Sequence, residues 1–61
     1  MNVNVTPVSS KSGNYTLITG ADRAARNAKA NEVAARYLAE GADSTTTAFG
    51  REFVRVIPSY N

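Results

Sequence analysis

The stretch Thr19 to Gly41, TGADRAARNAKANEVAARYLAEG, constrains this chain more than any other segment. Alanine, arginine, glutamate and leucine are strong helix formers, and a glycine follows the run where a helix ends in a left-handed residue. The segment predicts a helix over about 20–41. Thr19 is placed as its N-cap, with a hydroxyl that accepts from the Asp22 amide and Asp22 answering as a shortened capping box. Gly41 is placed as the residue just past the helix end.

The charges on this helix suggest how it lies. Asp22, Arg26, Lys29, Glu32, Arg36 and Glu40 fall on one arc, with opposite charges at i,i+4 in Asp22/Arg26, Glu32/Arg36 and Arg36/Glu40. That arc is expected to face solvent. The opposite arc carries Ala24, Ala28, Ala34, Ala35 and Leu38, with Ala30 and Tyr37 at its margin, and is expected to face the sheet or a partner. Asn27 and Asn31 sit four apart among the small residues, either wetted by solvent or hydrogen-bonded across an interface.

Strand signals flank the helix. From Asn2 to Val8, valines alternate with Asn and Thr at the period of a half-buried strand, and Pro7 places its end, or the strand itself, at a sheet edge. Ser9 to Asn14 has a turn composition, and Tyr15 to Thr19 is extended again, so residues 2–19 read as a hairpin. Residues 42–50, with three successive threonines, read as a loop or a frayed edge extension. The last strand, about 51–58, sends Val54 and Val56 one way and Phe53 and Ile57 the other, with Arg55 between them. Apolar residues on both faces suggest a central position in the sheet or a second covered face. The expectation is one α+β domain over 1–61, ordered β-β-α-β, with three strands and one alanine-rich helix on one face.

Composition limits the chemistry. A chain of 61 residues buries only roughly 60% of the surface it exposes when unfolded. It has no cysteine and no histidine, which removes disulfides and the usual zinc ligands. Small scaffolds without such staples rely on idealised packing or on self-association, so a homo-oligomer stays open. No histidine can activate a serine or threonine, and the five acids have no evident apolar surround, so no enzyme, cofactor or metal is expected. No apolar run approaches the length of a membrane span, and the polar start is no signal peptide, so a soluble cytoplasmic protein is expected.

Leu17-Ile18-Thr19-Gly20-Ala21 and Ala39-Glu40-Gly41-Ala42-Asp43, on either side of a helix, resemble the opening of the short-chain dehydrogenases. That family needs two further glycines for close approach to a pyrophosphate, and here Ala24 and Arg26 stand in their places. Dinucleotide binding is rejected on that ground. The free amides of the helix start, with Gly20 and Arg23, offer a phosphate site only if Asp22 leaves them unoccupied. A hairpin, an alanine-rich helix and a last strand, carried by Tyr15 to Thr19 and Phe53 to Pro58, is similar to the small phage-encoded inhibitors that bind host RNA polymerase. Gly50 to Val54 also looks like part of the last strand of small phycobilisome linker domains. Both resemblances imply a protein that binds other proteins without chemistry.

The residues themselves favour the same function, a protein-binding inhibitor or adaptor that modulates or links a larger assembly. Arg51 and Arg55, placed on one face of the last strand, would orient the partner, and Phe53 and Tyr60 would anchor it. The Asn27/Asn31 helix face and the strand edges at Asn2 to Val8 and Thr45 to Thr47 are further docking candidates. The alternative is a small basic nucleic-acid binder, since the net charge is +2 and Arg51, Arg55 and the nearby aromatics suit stacking on single strands.

Overall fold

Five elements form in the computed structural model, which describes residues 3–11 and 13–60. They are β1 (Asn4–Ser10), β2 (Gly13–Thr19), α1 (Arg23–Ala39), β3 (Ser44–Phe49) and β4 (Phe53–Ser59). The expected strand start at Asn2 and the place of Ser12 in the turn lie outside the described residues, as do Met1 and Asn61. The architecture is α+β, but the sheet has four antiparallel strands in the order β1-β2-β4-β3, where three were expected.

The extra strand is β3, inside the segment read as a loop. Thr45, Thr46 and Thr47 are β-branched and favour a pleated backbone, and an edge strand needs only one covered face. Thr45 and Thr47 are half-buried while Ser44 and Thr46 are exposed, so the alternation is present without a hydrophobic signal to mark it. β4 begins at Phe53 rather than Arg51. Gly50 donates its amide to the Phe53 carbonyl at 3.0 Å, which closes a tight turn, and Glu52 takes a left-handed φ of 60° within it. β4 is an inner strand, the central position that its apolar residues suggest.

The first hairpin is tighter than its composition suggests. Ser9 pairs with Asn14 and Ser10 with Gly13, so the strands run almost to the tip. The Ser10 hydroxyl donates to the Gly13 carbonyl and the Ser9 hydroxyl to the Asn14 side chain. Pro7 lies within β1, an edge strand, where a missing amide can face outward.

The helix starts later than expected because Thr19 remains in the sheet, paired with both Asn4 and Phe53. Asp22 is the N-cap, its carboxylate accepting from the Ala24 and Ala25 amides at 2.9 and 3.3 Å. The helix ends where Gly41 predicts. Ala42 donates to Tyr37 O at 3.0 Å and Gly41 to Leu38 O at 3.2 Å, the paired bonds of a Schellman motif, with Gly41 at φ 112°. Gly41→Ala is expected to lower stability by about 1–2 kcal/mol, since a side chain is strained at that φ whatever space surrounds it. Urea unfolding followed by circular dichroism measures this, and an unchanged midpoint would contradict the cap assignment.

The helix is rotated from the expected orientation. Arg26, Ala30 and Val33 are its buried residues and Tyr37 packs beside them, while Ala24, Ala28, Ala35 and Leu38 face solvent. Val33 and Tyr37 carry far more apolar area than any alanine, so burying their stripe releases more free energy than burying the alanine arc. Arg26, on that same stripe, is carried inward with them. None of the three expected i,i+4 pairs forms among the described residues; Lys29 pairs instead with Glu32 at 3.0 Å.

The core lies between α1 and one face of the sheet. Ile18, Val54 and Val56 are fully enclosed, with Ala30 and Val33 from the helix completing the cluster. Tyr37 reaches across to share a 2.6 Å hydrogen bond with the hydroxyl of buried Thr16, which fixes the helix over β2. The helix packs over β4 with β2 and β3 on either side and does not reach β1. Among the described residues, no helix is long and apolar enough to cross a membrane.

Candidate functional site

Because strand side chains alternate, every residue that fills the core has neighbours pointing to the opposite face, and among the described residues no element covers that face. The register aligns Thr6, Leu17, Arg55 and Ala48 in one row across all four strands. A second row joins Asn4, Thr19 and Phe53; Val8 pairs with Tyr15, and Thr46 with Ile57. The middle of the uncovered face is therefore Tyr15, Leu17, Phe53, Arg55 and Ile57.

Arg55 organises this patch. Its guanidinium lies 5.2 Å from the centroid of the Phe53 ring and 5.9 Å from that of Tyr15, between one aromatic from each inner strand. Such interactions contribute about 0.5–1 kcal/mol each at an exposed site. They also hold the cation in place over an apolar floor. Phe53 rests directly on Gly50, where a Cβ would come within 2.1 Å of the ring, so the glycine sets the ring's position. Toward the hairpin tip, β2 and β4 stop pairing beyond Thr16 and Val56, and a cleft of about 240 Å³ opens among Asn14, Tyr15, Arg55 and Ile57.

The residues singled out from the sequence are not all gathered here. Phe53 and Arg55 are on the uncovered face. Arg51 is not: it precedes β4 and lines a cleft on the helix side with Arg23, Arg26 and Asn27, so Arg51 and Arg55 do not share a strand face. Asn27 and Asn31 remain neighbours one turn apart on α1, Asn27 half-buried and Asn31 exposed. Tyr60 follows β4 and is exposed. The edge strands are β1 and β3, which contain Val5 to Val8 and Thr45 to Thr47.

Sequence reasoning does not single out Tyr15 and Leu17 as site residues. The alternation in Tyr15-Thr16-Leu17-Ile18 already puts them on one face, but only the pairing of β2 with β4 brings that face beside Phe53 and Arg55. Asp22 occupies the first amides of the helix, so the helix end alone offers no phosphate site. Among the described residues, no group of three or more His, Cys, Asp or Glu could hold a metal ion. No family model matches this chain, and neither curated proteins nor solved structures give a significant match.

Proposed function

We propose that this protein is a non-catalytic binding module that modulates or links a larger protein assembly, docking through the sheet face opposite the helix. The observation that carries the reading is the contiguous patch of Tyr15, Leu17, Phe53, Arg55 and Ile57, two aromatics around a positioned arginine on an otherwise apolar floor. Aromatics and arginine are the side chains that dominate protein interfaces, and a surround of aliphatic residues excludes water from them. A one-sided core in so short a chain adds a reason: covering the second face removes further apolar area from water at roughly 25 cal/mol per Å².

A nucleic-acid partner fits this face less well. Arg55 is the one cation among its central residues, and single-strand binders line their stacking aromatics with a basic groove. The test is affinity capture with the wild-type protein and with the double variant Leu17→Lys/Ile57→Lys, followed by binding of the purified partner across about 50–200 mM salt. A protein partner captured by the wild type, lost with the variant and largely insensitive to salt is expected. Recovery of nucleic acid alone, with affinity falling steeply as salt rises, would reverse the assignment.

A further inference from the structure

On the helix side, a cleft of about 350 Å³ opens between the first turn of α1 and the β3–β4 turn. Arg23, Arg26, Asn27, Arg51 and Glu52 line it, three guanidinium groups against one carboxylate. None of the three arginines makes an ion pair among the described residues.

Arg26 is the unusual member. It is only 7% exposed, its Nη1 donates to the Gly20 carbonyl, and its buried Nε has no acceptor. Taking a guanidinium out of water is costly unless an opposite charge or a full set of acceptors receives it. Two more cations at the same cleft add mutual repulsion. Asp22, the capping acid, accepts from the Ala24 and Ala25 amides through Oδ1. Three guanidinium groups against Glu52 and the capping Asp22 leave this corner with a net positive charge.

We propose that this cleft binds a phosphate dianion, either free or as a phosphate monoester. Arg23 and Arg51 are exposed and can present their planar forks to the oxygens from the two walls, the geometry in which arginine binds phosphate most strongly. Arg26 supplies charge from the buried floor, where the field is screened least. The site is built on guanidinium groups rather than on the helix end. It is on the opposite side of the sheet from the docking face and does not depend on that reading.

The test is titration of ¹⁵N-labelled protein with inorganic phosphate and, separately, with phosphoserine, at an ionic strength held constant with chloride. Saturable shifts are expected at the Arg23, Arg51 and Glu52 amides and at the Arg26 Nε–H. Thermal stability should rise with phosphate and not with chloride. In Arg23→Gln/Arg51→Gln, two exposed changes that leave the core intact, affinity should drop by roughly a hundredfold, about tenfold for each guanidinium–phosphate hydrogen bond removed. The variant's spectrum reports separately that it is folded. Tighter binding of phosphoserine would assign the monoester as the ligand, and tighter binding of inorganic phosphate the free ion; either supports the site. Shifts that do not saturate, that chloride reproduces, or that persist at equal affinity in the double variant would overturn it.

Discussion

Ile18→Ala is expected to remove about half of the protein's stability at 25 °C. Ile18 is fully enclosed on an inner strand, paired with Val5 on one side and Val54 on the other, beneath the helix. Truncating a buried isoleucine to alanine costs about 2–5 kcal/mol, the sum of forfeited transfer free energy and the cavity left behind. A chain of this length has a total stability of about 3–9 kcal/mol, so the two quantities are of the same size. No second core layer is available to share the loss. Urea titration monitored by circular dichroism would give a midpoint at roughly half the wild-type denaturant concentration. Leu38→Ala is the control, since Leu38 is 48% exposed and should change stability by less than about 0.5 kcal/mol. A wild-type midpoint for Ile18→Ala would mean that the helix does not pack on this face.

Arg55→Ala is expected to weaken binding of the protein partner by at least about thirtyfold, the loss typical of a central interface arginine. The change leaves the core untouched, and it removes exposed cation–π interactions that contribute about 1–2 kcal/mol together at most. The variant should therefore remain folded. Calorimetric titration against the captured partner measures the effect. Arg51→Ala, on the helix side, should bind the same partner with unchanged affinity. Equal losses from the two variants would indicate long-range charge attraction in place of docking on the sheet face.

The helix, its stop at Gly41, the first hairpin and the two-faced character of β4 are all legible in the sequence. Each depends on local chemistry: intrinsic propensity, a glycine tolerating positive φ, and a period-two alternation among large apolar residues. β3 is not legible in the same way. Its threonines satisfy the backbone preference for a strand but bury little, so nothing in the hydrophobic pattern separates Ser44 to Phe49 from a polar loop. Arg51 and Arg55 have the spacing of one strand face, and only the tight turn at Gly50 to Phe53 puts Arg51 outside the strand.

By itself the sequence determined the helix and three of the four strands, and that the chain lacks the histidine and cysteine on which many reactive sites depend. Only the tertiary structure decided which helix stripe turns inward, because that choice compares the apolar area of Val33 and Tyr37 with that of the alanine arc and requires a sheet for them to meet. The same packing carried Arg26 inside and set Tyr15 and Leu17 beside Phe53 and Arg55. Both candidate sites therefore arise where distant segments meet, which no local pattern of residues encodes.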